Sequence, residues 1–131
     1  MAYLKPPAFT RKVFNPLAMR FGLGESATLA VRGRETGEEQ TIPVIPVEVG
    51  GSRYVVSTRG ESEWVRNARA AGTIEIRTKD RSEAYDIAEV PVGERTPIID
   101  AYRRVAGKTV AGYWKKLPNA VDHPTFRLQP R

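Results

Sequence analysis

At 131 residues, with 40% hydrophobic and 27% charged positions, the chain has the size and composition of one globular domain around a single core, which excludes wholesale disorder. Zero cysteines exclude disulfides, thiolate catalysis and cysteine-based zinc sites, and fit a cytosolic setting. The net charge of +6 collects at the two ends: Lys5, Arg11, Lys12 and Arg20 precede the first acid, Glu25, while Lys108, Lys115, Lys116, Arg127 and Arg131 lie toward the carboxy end. Such polarity is either a solvated basic surface or an attraction for an anionic cofactor, lipid or nucleic acid. No apolar run approaches the roughly 18 residues that span a bilayer. The opening MAYLKPPAFTRKVF lacks the apolar stretch of a secretory signal, so none is expected.

In chain order, residues Phe9 to Phe21 read as a helix, with Val13, Phe14, Leu17, Ala18 and Phe21 at helical spacing. Pro16 would suit a start at Asn15, and Gly22 and Gly24 end the segment. This helix either packs on the domain or offers a basic amphipathic face to a membrane surface or a partner. Thr28 to Arg32 reads as a strand, Gly33 to Gln40 as a turn, and Thr41 to Val49 as a second strand that Pro43 and Pro46 restrict to an edge. Gly50-Gly51 marks a hairpin returning through Arg53 to Thr58. Glu61 to Ala71 reads as a short helix stopped by Gly72, and Thr73 to Lys79 as a strand with Ile74 and Ile76 on one face. After the Lys79–Ser82 turn, Tyr85 to Val92 is a strand ending at Pro91, and Arg95 to Val105 a helix with Thr96 at its start, Pro97 in its first turn and Gly107 as its stop. Lys108 to Pro124 carries no clear period, and Phe126 to Leu128 adds a last short strand. Five or six strands with close turns and two or three helices predict a small barrel with flanking helices, one domain over residues 1–131.

Most catalytic constellations are missing from the sequence. One histidine, His123, and no clustered carboxylates at ligand spacing leave no metal site to predict, and His123 reads as a structural or surface residue. No Gly-x-Ser-x-Gly elbow, Walker pattern or Rossmann fingerprint occurs. Only the net charge favours nucleic acid, so no nucleic-acid partner is expected.

Two glycine-marked turns, each following a strand, stand out. In the first, Gly33 and Gly37 permit a tight turn, Arg34 offers a bidentate fork and Thr36 a hydroxyl. In the second, Ser57, Thr58 and Arg59 precede Gly60, and the helix after it carries Trp64 and Asn67 three residues apart on one side. Were the two turns to converge, they would make an anion pocket beside an aromatic wall.

The segments GRETG, IPVEVGGSRYVVSTRG and EWVRNARAAG, in this order and spacing, resemble the deazaflavin-dependent nitroreductase family, and NPLAMRFG and DHPTFRL resemble an actinobacterial branch of it. The resemblance runs from Asn15 to Leu128 and is weakest over Lys108 to Asp122. It implies a mainly β (α+β) split β-barrel of the FMN-binding type and the hydride-carrying deazaflavin coenzyme F-420, with its phosphate and acidic tail. By the same resemblance Arg34, Thr36 and Gly37 would lie near the tail or phosphate, and Ser57, Thr58, Arg59 and Gly60 along the phosphate and ring edge. Trp64 and Asn67 would shape the loop beneath. Tyr113 would be the catalytic residue, donating to the developing anion of a quinone-like, nitroaromatic or enone-like substrate. Split barrels also carry an expectation of a homodimer, and the whole reading one of a cytoplasmic protein, membrane-associated if the amino-terminal helix touches lipid. Glu35 stands where such proteins often carry lysine, Gln40 where a basic residue is common, and Ala68 where leucine is usual. These departures leave an alternative, a non-catalytic split-barrel carrier of a fatty acid or other hydrophobic ligand.

Overall fold

The computed structural model describes residues 26–131, so the predicted helix over 9–21 lies outside the described residues. Among these, seven strands form one antiparallel sheet: β1 (Ala27–Arg32), β2 (Glu39–Val44), β3 (Val47–Val49), β4 (Ser52–Val56), β5 (Thr73–Arg77), β6 (Ser82–Glu89) and β7 (Thr125–Pro130), in the spatial order β2-β1-β5-β6-β7-β4-β3. Three α-helices join them: α1 (Glu63–Ala71), α2 (Thr96–Ala106) and α3 (Lys108–Lys116).

The order of the strands shows why the sheet is a barrel. β2 and β3 sit at opposite edges, yet only Ile45 and Pro46 separate them in sequence. Three Cα steps reach at most about 11 Å, so the two edges must curl round until they meet. The single strand predicted over Thr41 to Val49 is therefore two strands flanking a corner. Pro46 cannot donate to a ladder and it biases Ile45 away from helical geometry, which lets the chain leave one edge and join the other. Pro43 stays in β2 opposite Thr28, at an edge where a missing donor is tolerated.

Alternation sorts the side chains. Leu29 and Val31 of β1, Val55 of β4, Ile74 and Ile76 of β5, Tyr85 of β6, and Phe126 and Leu128 of β7 point into the barrel. Trp64, Val65 and Ala68 of α1 join this core, and α1 packs on β1 and β5. A second cluster lies outside the wall, where Ile98, Ile99, Tyr102 and Ala106 of α2 and Val110 and Trp114 of α3 cover Val47 and Val56. The end of β4 is thus buried on both faces, Val55 inward and Val56 under the helices, which is why SRYVV closes on two adjacent valines.

The helix ends follow the sequence signals closely. Gly72 caps α1 in the left-handed region at φ 74°, and Thr96 and Pro97 open α2. The segment without a clear period, Lys108 to Pro124, holds α3 and a 3₁₀ turn over Ala120–Asp122. A charge chain ties the layers together. Arg69 of α1 bonds both Glu61 and Glu89, and the buried Arg95 donates to Glu89 at 3.1 Å and to the carbonyls of Val90 and Ala120 at 2.8 and 3.2 Å. The Glu89 carboxyl is held below its ordinary value by the Arg69 hydrogen bonds, against the opposing effect of burial. No helix of the described residues is long and apolar enough to cross a membrane.

Candidate functional site

The first glycine turn closes β1 on β2. The Gly33 amide donates to the Glu38 carbonyl at 2.7 Å and the Gly37 amide to the Gly33 carbonyl at 3.0 Å. A Cβ at position 33 would lie 2.8 Å from that Glu38 oxygen, so the closure requires glycine there. Thr36 Oγ1 accepts from the Glu38 amide at 3.1 Å, which leaves its own hydrogen to be donated.

Arg34 is tied to α1. Its backbone amide and its Nη1 both donate to Asn67 Oδ1, at 3.0 and 2.7 Å, and Nη1 also donates to Glu63 Oε1 at 2.9 Å. Asn67 Nδ2 in turn donates to Gln40 Oε1 at 2.7 Å. Position 40 is therefore part of the joint between the turn and the helix. Glu35, by contrast, is exposed and only 3.8 Å from the edge of the Arg34 guanidinium. Trp64, on the same helix, fills the barrel core edge-on to Phe126 at 5.8 Å between ring centroids.

The second turn leads from β4 into α1. Buried Ser57 donates its amide to the Pro124 carbonyl at 2.8 Å and its hydroxyl to the Gly60 carbonyl at 2.7 Å. Gly60, at φ 78°, turns the chain so that its carbonyl also accepts from the Ser62 amide. Thr58 and Arg59 are half-buried between these anchors. Arg59 Nη2 donates to the Tyr113 hydroxyl at 2.6 Å, and its guanidinium lies over the Tyr113 ring, 4.8 Å from the centroid. Two candidates 54 residues apart in sequence thus meet, one from the loop and one from α3. Beneath them, burial pushes the Tyr102 phenol up, and the nearby Tyr113 adds to the effect.

The two turns flank the amino-terminal half of α1, but their arginines are committed to different elements, Arg34 to α1 and Arg59 to α3. The carboxylates closest in sequence, Glu61 and Glu63, are each bonded to an arginine, Arg69 and Arg34. Among the described residues, the guanidinium of Arg59, the Thr58 hydroxyl and the Tyr113 hydroxyl bring several donors to this loop. Such a set suits an anionic, oxygen-rich ligand and a substrate that gains negative charge. No group of three or more metal-ligating side chains occurs among the described residues.

Three features lay beyond sequence reasoning. Glu63 as the partner of Arg34 and the Glu61–Arg69–Glu89–Arg95 chain need tertiary contacts to be seen. His123 is completely buried, stacked on Trp114 and bonded through both ring nitrogens. The only signal for it in sequence was its place before Pro124 and an apolar strand.

Similar solved structures share the fold. One is the F420-H2 dependent reductase FDR-A, at 19% identity and a TM-score of 0.61 over 79% of this chain and 93% of that one. Another is HutZ, the heme storage protein from Vibrio cholerae, at 16% identity and 0.61 over 81% of each chain. A third is a putative 5-nitroimidazole antibiotic resistance protein from Bacteroides thetaiotaomicron, at 11% and 0.57 over 80% of this chain and 72% of that one. No curated protein matches the sequence. The family model of F420H(2)-dependent quinone reductases matches residues 7–121, and the chain belongs to that family of split β-barrel proteins.

Proposed function

We propose that the chain is an oxidoreductase that passes hydride from reduced F-420 to a quinone-like, nitroaromatic or enone-like small molecule, with Tyr113 as its proton donor. The observation that carries this reading is the Arg59–Tyr113 pair. When bound, F-420 supplies the hydride from a ring carbon. Thr58 and Arg59 would hold its phosphate and ring edge, Gly60 letting the backbone come close, while Arg34, Thr36 and Gly37 frame the turn on the other side of α1. Arg34 is bonded to Glu63 and Asn67, so the reading gives the coenzyme's anionic group to Arg59, beside Tyr113.

A carbonyl or nitro substrate that accepts hydride gathers negative charge on oxygen. The Tyr113 hydroxyl accepts from Arg59 through one lone pair, so its hydrogen is free to face that oxygen. After the proton leaves, the Arg59 guanidinium stabilises the phenolate until solvent restores it.

Titration of the protein with oxidised F-420, followed by quenching of Trp64 and Trp114, tests the reading. Saturable micromolar binding is expected, weakened at least tenfold by Arg59→Ala. Absence of binding, together with a fatty acid in native mass spectra, would replace it with the carrier reading. Two copies are proposed to pair in solution. A structure of the same fold, at 18% identity and a TM-score of 0.55, is a domain-swapped dimer, and among the described residues β2 and β3 each pair with one neighbouring strand only. Light scattering on the eluting protein decides between one and two copies.

A further inference from the structure

We infer that His123 is held as a doubly protonated imidazolium, and that this cation is the clamp positioning Arg59 against Tyr113. The ring has no exposed surface. Its Nδ1 lies 2.7 Å from the Ser57 carbonyl oxygen and its Nε2 lies 2.7 Å from the Leu117 carbonyl oxygen. A carbonyl oxygen can only accept, so each of these bonds needs an N–H. A neutral imidazole has one N–H. It would leave a nitrogen lone pair facing an oxygen lone pair at 2.7 Å, with a buried carbonyl lacking its donor.

Burial and the like charges on neighbouring elements oppose the cation, while two carbonyl oxygens and an aromatic face favour it. The imidazole stacks on Trp114 at 3.9 Å between centroids and 11° between planes, which sets the charge over the face of the best aromatic acceptor. Among the described residues no carboxylate pairs with it. The charged and titratable groups on the elements around it are the carboxylates of Glu61 on the loop, Asp100 on α2 and Asp122 next to it in the chain, the phenols of Tyr102 and Tyr113, and the cations Arg59 on the loop, Arg103 and Arg104 on α2, Lys108, Lys115 and Lys116 on α3, and Arg127 on β7. Arg103 lies over the Trp114 ring at 5.1 Å from its centroid. The positive charge is therefore stabilised by two carbonyl dipoles and a π face rather than by a counter-ion.

The two carbonyls are not arbitrary. Ser57 lies two residues before Arg59, and its amide is pinned to the Pro124 carbonyl, next to His123. Leu117 follows α3, and its amide donates to the Tyr113 carbonyl at 2.8 Å. The contacts close a ring: Ser57 to Arg59, Arg59 to Tyr113, Tyr113 to Leu117, Leu117 to His123, and His123 back to Ser57. Both partners of the Arg59–Tyr113 bond are thus one short step from an atom that His123 holds. Its effect on turnover rests on the proposed role of Tyr113, whereas the clamp is a property of the protein alone.

The chain has one histidine, so nitrogen-15 histidine labelling gives a single imidazole in the NMR spectrum of the cofactor-free protein. Both ring nitrogens are expected to be protonated at pH 7, with N–H resonances slow to exchange, and a neutral tautomer would overturn the inference. His123→Phe keeps the stack on Trp114 and removes both donors. It is expected to fold cooperatively, to lose the nuclear Overhauser contacts between the Arg59 guanidinium and the Tyr113 ring, and to bind oxidised F-420 at least tenfold more weakly. His123→Arg, which restores two donors and the charge, should recover part of both losses. Contacts retained in His123→Phe would sink the clamp, and if that variant does not fold, the same contacts in His123→Gln, with a single donor group, decide the matter. Failure of the wild type to bind F-420 would refute the proposed reaction and leave the imidazolium and the Arg59–Tyr113 contacts to be judged on the cofactor-free spectra.

Discussion

Arg34 and Arg59 carry the same charge and sit in similar glycine turns, yet they perform different work. Arg34 bonds Glu63 and Asn67 and so joins a turn to a helix. Arg34→Ala is expected to lower stability by about 1–3 kcal/mol, the range for a part-buried bond to a charged group, with a small effect on coenzyme affinity once folded. Arg59→Ala is expected to show the reverse. Chemical denaturation and F-420 titration of the two variants measure the difference. Tyr113→Phe removes the proposed donor and little bulk, so kcat should fall about 10²-fold while the coenzyme dissociation constant stays near wild type. A fall in affinity without a fall in kcat would assign Tyr113 to binding. Glu35 is exposed beside the turn, and Glu35→Lys should tighten coenzyme binding if the acidic tail runs past it. An unchanged constant would place the tail elsewhere.

The turn over residues 33–38 shows how one element depends on one backbone atom. Its closing bond brings the Glu38 carbonyl where a Cβ at position 33 would meet it at 2.8 Å. Gly33→Ala must open that bond, and thermal unfolding should reveal a loss of about 1–3 kcal/mol. Gly37 and the hairpin glycines Gly50 and Gly51 were legible from sequence for a different reason, since each takes a positive φ that other residues resist. The ends of α1 and α2 were legible too, from Gly72 and Thr96-Pro97. The break at Ile45-Pro46 was not. A proline in a strand marks an edge, but two edges of one sheet meeting at the same proline is a statement about closure, which a linear pattern does not contain.

At the scale of the whole molecule, the charge chain Glu61–Arg69–Glu89–Arg95 links α1, β6 and the start of α2 beside the barrel core. Glu89 has a folded value below the ordinary 4.5, because Arg69 hydrogen-bonds its charged form and Arg95 adds a second positive charge. A depressed carboxyl contributes stability that is complete above its unfolded value and lost as pH falls through the lower folded value. Melting temperature should therefore drop as pH falls below about 4.5. Glu89→Gln should flatten that acid limb and cost about 1–3 kcal/mol at neutral pH, since Arg95 would remain buried with a weaker acceptor. Glu39 and Glu75 are also depressed, chiefly by hydrogen bonds from Arg77, but they are solvent-screened and add little to the limb.

Local chemistry decided much of this protein in advance. Alternating Ile74 and Ile76, the Gly50-Gly51 hairpin, the glycine caps and the GRETG and STRG turns are short-range signals, and each follows from sterics or from a period of two or 3.6 residues. They were enough to indicate a small barrel with flanking helices, while the family came from the resemblance carried by GRETG, IPVEVGGSRYVVSTRG and EWVRNARAAG in order. Which side chains face one another was decided only by closure of the sheet and packing of α3 on its wall. That step brought Arg59 to Tyr113, spent Arg34 on Glu63 and buried His123 between two carbonyls. Each of these pairings joins positions dozens of residues apart or depends on an orientation that propensity does not encode, so it exists only once the chain has folded.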